Sequence, residues 1–234
     1  MAHPDQYKFV GLIKEHLSYF FEGTNVLEIG SLDINGSVRT IFAAKAYTGV
    51  DVAPGKGVDV VSEGQLLDYA TGFFDVAISC ECLEHNPFWV ETVSNMIRMT
   101  KPGGLVIISC ATTGRAEHGT SRTSVDDSPL SVGKGWEYYR NISTSTFRST
   151  FNLAHSFDDY ILLTNWSNFD LYFVGIRKLD SGGLKLDSLR RDLAESFSPF
   201  RSFRAFCVSI TANLFGEYGV GVLRKVRHLF RRRS

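Results

Sequence analysis

The segment Val26-Leu27-Glu28-Ile29-Gly30-Ser31-Leu32-Asp33-Ile34-Asn35-Gly36 sets a carboxylate two residues before a glycine at the end of an apolar run. Gly30 permits close backbone approach to a ligand, and Asn35-Gly36 tolerates positive φ. About twenty residues further on, Asp51 closes a second apolar run, where an acidic side chain can accept both hydroxyl hydrogens of a ribose. These features point to a nucleoside-bearing ligand, while the G-x-G-x-x-G spacing of a dinucleotide site is absent. Of the six histidines, only His85 and His118 follow runs whose ends lie at the same edge. An imidazole there could take a proton from a reacting hydroxyl or fix the acceptor. Cys80, Cys82, Cys110 and Cys207 form no CxxC pair, and no His or Cys cluster has structural-zinc spacing, so no required metal is predicted.

The elements that must position these residues follow from hydrophobic periodicity. Short Val- and Ile-rich runs alternate with longer amphipathic stretches, the pattern of a parallel sheet covered on both faces. Strands are predicted at 25–30, 47–52, 58–61, 74–79 and 105–110, with helices at 7–21, 37–44, 65–69 and 87–100. Pro87 suits the first turn of the last helix, and Pro102-Gly103-Gly104 stops it. The runs 160–165 and 170–177, separated by Trp166-Ser167-Asn168-Phe169, read as a β-hairpin. Residues 112–143 have little periodicity and read as a substrate lid over one end of the sheet.

With Glu28 inside the first strand, Phe74-Asp75-Val76-Ala77-Ile78-Ser79 as the fourth, Cys82-Leu83-Glu84-His85 after it and Lys101-Pro102-Gly103-Gly104 before the fifth, the chain resembles the class I S-adenosylmethionine (SAM)-dependent methyltransferases, most of all their type 11 branch. The resemblance covers about residues 22 to 178. It implies a doubly wound, mostly parallel seven-stranded sheet ending in an antiparallel hairpin strand, and SAM as cofactor. It further implies that Glu28, Gly30 and Ser31 bracket the methionine end of SAM and that Asp51, with Val52, holds the ribose. Glu63 and Gln65 would lie beside adenine, and Cys80 and Glu81 would line the pocket. The family's alternate glycines are interrupted by Leu32 and Ile34, with Gly36 arriving later, which leaves the path of this loop open.

The 234-residue chain, 44% hydrophobic, is long enough for one α/β core. Its zero net charge hides an asymmetry: residues 1–180 carry 14 basic and 21 acidic side chains, and residues 181–234 carry 11 and 4. Ser181-Gly182-Gly183 reads as a linker between a methyltransferase domain, 1–180, and a helical basic C-terminal extension, 181–234, so that a truncation ending at Asp180 should leave the sheet intact. In the extension, Val222, Leu223, Val226, Leu229 and Phe230 recur at helical spacing among Arg224, Lys225, Arg227, Arg231, Arg232 and Arg233. Such a helix suits the surface of an anionic membrane, with packing on the acidic body as the alternative. Contiguous apolar runs are too short for a transmembrane helix, and no secretory leader is evident, so a cytoplasmic enzyme peripheral to the inner face of the cell membrane is expected.

Trp136, Tyr138, Tyr139, Arg140 and Asn141 in the insertion combine flat faces with hydrogen-bonding tips, as sugar-binding surfaces do. The expected reaction is O-methylation of a sugar-containing acceptor, such as a bacterial glycan or lipid-linked precursor, with His118 or His85 as base. The alternatives are a small natural product or RNA as acceptor, or an inactive SAM-binding regulator. No aromatic stacking motif of an RNA module appears, which argues against nucleic acid as partner.

Overall fold

A computed structural model of the chain describes residues 4–201 and 203–231. It opens with α1 (Pro4–His16), followed by β1 (Asn25–Ile29), β2 (Ala46–Asp51), β3 (Val60–Val61) and β4 (Phe74–Cys80). Then come α2 (Trp89–Met99), β5 (Thr100–Ala111), α3 (Pro129–Gly133), α4 (Thr144–Thr150) and α5 (Leu153–Ser156). The hairpin β6 (Phe157–Asn165) and β7 (Asp170–Arg177) completes the sheet, and α6 (Asp187–Ser196) and α7 (Phe203–Arg231) end the chain. The strand order is β3-β2-β1-β4-β5-β7-β6; β1 to β5 pair in parallel, and β7 inserts antiparallel between β5 and β6. This is the doubly wound, seven-stranded sheet with a terminal antiparallel hairpin that the sequence implies.

Side-chain alternation along the strands divides the core into two layers. Val26, Ile78, Ile107, Tyr172 and Val174 face Phe9, Val10 and Ile13 of α1, and Phe9 stacks on Tyr172 with ring centroids 4.2 Å apart. Leu27, Ala77, Val106, Ile108 and Phe173 face Val93, Met96 and Met99 of α2 together with Phe147 of α4. From β1 the chain winds outward to β2 and β3, and from β4 it winds the other way to β5, so the order reverses between β1 and β4. The crevice outside the carboxyl ends of these strands is where doubly wound folds bind ligands.

Several expected helices are shorter than their periodicity suggests. Residues 37–44 form only a 3-10 turn, Val38–Ile41, because the chain must return to the sheet edge, where Ala43 bridges Glu22. Residues 65–69 likewise reduce to Gly64–Leu66, and the first helix stops at His16 before a 3-10 turn, Ser18–Phe20. Pro87 falls outside α2, and the Asn86 side chain accepts the Phe88 amide instead. Lys101-Pro102-Gly103-Gly104 is a bulge within β5, where the register against β4 shifts between Phe74 and Val76.

The C-terminal segment departs further from expectation. The linker does not detach the segment beyond it: Leu186, Leu189, Leu193 and Phe197 are buried in the α1 layer of the core. Arg190 reinforces the attachment by pairing with Asp159 of β6 at 2.6 Å. Although no contiguous apolar run is long enough to span a bilayer, Ala205–Leu223 within α7 reaches spanning length and composition, with 19 residues of mean hydropathy 1.3. Helical periodicity joins runs that the sequence shows as separate. Gly216, at φ 57° and ψ −147°, nevertheless interrupts the helical backbone in the middle of that stretch. Of the expected basic stripe, Arg232 and Arg233 lie outside the described residues, as do the side chains from Arg224 to Arg231.

Burial of α6 against the sheet has a measurable consequence. Leu193→Ala, at a fully buried position, should lower unfolding free energy by about 2–5 kcal/mol in denaturant melts, whereas Leu214→Ala on the exposed face of α7 should change it by roughly 0.5 kcal/mol or less. Equal effects of the two substitutions would show that α6 contributes no core packing.

Candidate active site

The cleft forms where β1 and β4 end side by side. Gly30 turns the chain at φ +80°, and a Cβ there would lie 2.6 Å from Cys82 Sγ, so only glycine fits. The amides of Gly30 and Ser31 both donate to Val50 O, at 2.9 and 3.1 Å, which folds the loop back over β2. Asp33 then accepts the Gly36 amide at 2.7 Å, pairs with Lys56 at 2.7 Å and donates its own amide to Lys56 O at 2.8 Å. These bonds fix the loop path that Leu32 and Ile34 left open in the sequence.

Two adjoining recesses share Gly30, Leu32 and Cys80. The smaller, about 270 Å³, is lined by Gln6, Glu28, Ser31, Gly36, Ser37 and Val38. The larger, an open cleft of about 410 Å³, is lined by Ile34, Asp51, Glu81 and Cys82 on the sheet side and by Asp127 to Ser131 of the insertion.

The smaller recess is polar and unsatisfied. Gln6 Oε1 and Ser31 Oγ are buried without hydrogen-bond partners among the described residues, a costly state that a polar ligand group would relieve. Glu28, only 4% exposed, accepts from the Tyr47 hydroxyl at 3.0 Å. Burial pushes its carboxyl up to about 7, against the opposing pull of the Tyr47 hydrogen bond and the Arg39 charge. A cationic group beside Glu28 would restore its charge.

In the larger cleft, Asp51 accepts from Val52 N at 2.8 Å and from Leu32 N at 3.1 Å, which orients both oxygens and leaves lone pairs for a diol. Burial raises its carboxyl above the usual range, and the two backbone bonds oppose this. Glu81 sits at φ 51°, an uncommon conformation for a side-chain-bearing residue. Ser109 Oγ donates to it at 3.0 Å, and Arg115 approaches it at 3.9 Å.

The structure brings Glu28, Gly30, Ser31, Asp51, Cys80 and Glu81 to these two recesses. Val52, Glu63 and Gln65 do not line them. Glu63 is held by Gln65 at 2.7 Å and by Lys134 at 2.8 Å, so it ties the loop after β3 to the insertion. His85 and His118 meet beyond β4, with rings 4.9 Å apart and nearly perpendicular, and Tyr139 packs on both. Burial, followed by repulsion from His118, lowers His85 to about 3, so its ring is neutral at physiological pH. His118 donates from Nδ1 to Ala116 O at 3.0 Å, since a carbonyl can only accept, and Nε2 takes no part in that bond.

Asp127, which with Asp126 is an alternative base in the insertion by sequence, lines the roof, whereas sequence reasoning missed the roof residues Ser128 to Ser131, the buried Glu84, and Glu217 of α7. Glu217 accepts from Gly114 N at 3.1 Å and from Asn141 Nδ2 at 2.8 Å, and it anchors α7 to the insertion. No local pattern marks these residues, because each acts through a partner far away in the chain.

The titration of Glu28 gives a test on the ligand-free protein. Its carboxyl rises from an ordinary 4.5 to about 7, so between these values the folded state holds the proton more tightly and stability falls as pH rises through 7. Glu28→Gln should remove that slope, gaining on the order of 3 kcal/mol over wild type at pH 8 relative to pH 4. Parallel pH profiles of the two proteins in thermal melts would refute the shift.

Comparison with known proteins agrees with this geometry. A family model described as a methyltransferase domain matches residues 1–160. Among solved structures, the chain is similar to 1,6-didemethyltoxoflavin-N1-methyltransferase of Burkholderia thailandensis, solved with S-adenosylhomocysteine, at 15% identity over 74% of this chain and 77% of that one, with a TM-score of 0.51. It is also similar to a phosphoethanolamine N-methyltransferase of Haemonchus contortus (14% identity, 74% and 53% coverage, TM-score 0.52) and to YcgJ of Bacillus subtilis (12%, 74% and 99%, 0.52). These likenesses speak to the fold. Comparison with curated protein sequences returns no match. The chain belongs to the methyltransferase-domain family, and it is a class I SAM-dependent methyltransferase.

Proposed function

We propose that the enzyme methylates a hydroxyl oxygen of a small, sugar-containing acceptor seated between the cofactor cleft and the 112–143 insertion. The observation that carries this reading is the imidazole of His118, whose Nδ1 is committed to Ala116 O, so that Nε2 is the ring nitrogen available to an acceptor hydroxyl. Glu28, Ser31 and Gln6 suit the amino-acid end of SAM, and Asp51 suits its ribose. Held by those residues, SAM would supply an electrophilic methyl group to the acceptor oxygen, the electron pair of the C–S bond remaining on sulfur. His118 takes the hydroxyl proton. His85, held near a pKa of 3, is too weak a base for the same task and positions the His118 ring.

Asp127, Ser128 and Ser131 present polar groups to the cleft, as a hydroxylated acceptor requires. Trp136 packs edge-on against Phe88 at 5.8 Å and lies under Lys134, and Tyr139 donates to Ala116 O. These two aromatics hold the insertion in place, so sugar selectivity falls chiefly to its hydroxyl and carboxylate groups. The Burkholderia and Haemonchus relatives are N-methyltransferases by name. His118→Ala should lower kcat by about 10² with SAM affinity preserved. Methyl-labelled SAM with cell fractions reads the acceptor, and label entering RNA or protein rather than glycan or lipid would overturn the sugar assignment.

We further propose that α7 seats the enzyme on an anionic membrane at the cytoplasmic face, next to a lipid-linked acceptor. Val208, Ala212 and Val220 pack against Trp166 and Phe169, while Leu214, Phe215 and Tyr218 stand 65–82% exposed on the other side. The six arginine and lysine residues between 224 and 233 supply the matching charge. Apolar insertion with a cationic rim is the pattern of an interfacial helix. Sedimentation with phosphatidylglycerol-containing vesicles should show binding that falls with salt and is weakened at least about tenfold by Leu214→Glu/Phe215→Glu, with none to phosphatidylcholine alone. Equal binding to both vesicle types, or by the double variant, would rule this out.

A further inference from the structure

We propose that Glu84, His85 and His118 form a binding site for one divalent cation of the zinc type at the acceptor end of the cleft. One carboxylate oxygen and one nitrogen from each ring lie within 4.8 Å of one another. Tetrahedral zinc at about 2.0–2.1 Å from its ligands sets them roughly 3.3 Å apart, so small side-chain rotations suffice to close the set.

Three further observations favour an ion over simple packing. Glu84 is fully buried; its Oε1 accepts the Ala111 amide at 3.2 Å, but Oε2 has no hydrogen-bond partner among the described residues. His85, 3% exposed, likewise leaves Nδ1 without one. An orphaned carboxylate oxygen and an orphaned imidazole nitrogen in one buried cluster are expensive, and a cation satisfies both. The second is the His118 tautomer. A ring that donates one N–H to a backbone carbonyl, as Nδ1 does to Ala116 O, is oriented as metal-bound histidines are, with the other nitrogen left to face an ion. The third is Gly119 at φ +64°. A Cβ there would lie 3.0 Å from His85 Nδ1, so glycine keeps that space clear.

Two imidazoles and one carboxylate suit a borderline first-row ion rather than magnesium, which prefers oxygen ligands. Three protein ligands leave a position for a water or an acceptor hydroxyl, as in catalytic zinc sites. The site rests on the O-methylation reading and alters one role in it: with an ion bound, His118 Nε2 is a ligand and no longer the base, and the ion would acidify the acceptor hydroxyl directly; the ion binds without any acceptor and is tested without one.

The full-length protein, stripped with chelator and dialysed, is titrated calorimetrically with zinc chloride. One zinc per chain is expected at micromolar or tighter affinity, with Co²⁺ giving the visible absorption of a four- or five-coordinate site. His118→Ala, on a surface loop where folding is secure, and Glu84→Gln should each weaken binding on the order of 100-fold, while His155→Ala in α5 leaves it unchanged. No uptake up to about 100 µM, or equal uptake by all variants, overturns the site. Turnover of the stripped enzyme separates the two ideas: full activity with no zinc uptake removes the ion and keeps His118 as base, whereas zinc uptake lost in both variants establishes the site even if no hydroxyl acceptor is ever methylated.

Discussion

Everything at the active end of this molecule depends on the turn at Gly30. After β1 the chain must turn toward the end of β2 within the space that Cys82 leaves open, and any side chain at position 30 would occupy it. The positive φ of that glycine sets the Ser31 amide beside its own on Val50 O and brings Leu32 N onto Asp51. In this way one backbone conformation sets the floor of the cleft, the orientation of the Asp51 carboxylate and the position of Ser31 beside Glu28. The rest of the sheet serves as the rigid support that makes such a turn reproducible.

Burial supplies the electrostatic character of the site. Glu28, Asp51 and Glu84 are all carboxylates whose environment raises their pKa, chiefly by desolvation. Structural acids at a surface are held down by partners, as Asp75 is by Lys101 and Asp159 by the Leu186 amide and Arg190. The contrast marks the first group as prepared for a ligand, because only a bound cationic or hydrogen-bonding group restores favourable charge there. The neutral His85 follows the same rule with the opposite sign.

The insertion and the C-terminal helices complete the site from far away in the chain. Arg115 joins the start of the insertion to Asp170 at 3.0 Å and to Asn168 O at 2.6 Å, which clamps it to the hairpin. Lys134 joins its far side to Glu63, and Glu217 joins it to α7. The roof over the cleft is thus suspended from three elements, and the exposed face of α7 is mechanically continuous with it.

The sheet, the cofactor and the residues of the β1 turn were legible in the sequence alone. Strand alternation, the Glu28-x-Gly30 spacing and Asp51 at the end of β2 are local patterns, and local patterns survive translation into structure because they report which face or end of an element a residue occupies. Helix extents at 37–44 and 65–69 were not legible, since the sheet edge and short connections override propensity there. Nor was the attachment of α6, whose apolar face reads alone as a detachable amphipathic helix until the α1 layer is seen to need covering. Only the tertiary structure could bring Glu84 and His85 against His118, Asp127 to Ser131 over Asp51, and Glu217 against Asn141. Those meetings depend on where a long, aperiodic loop is pinned, and its pins are single side chains whose partners the chain order does not reveal.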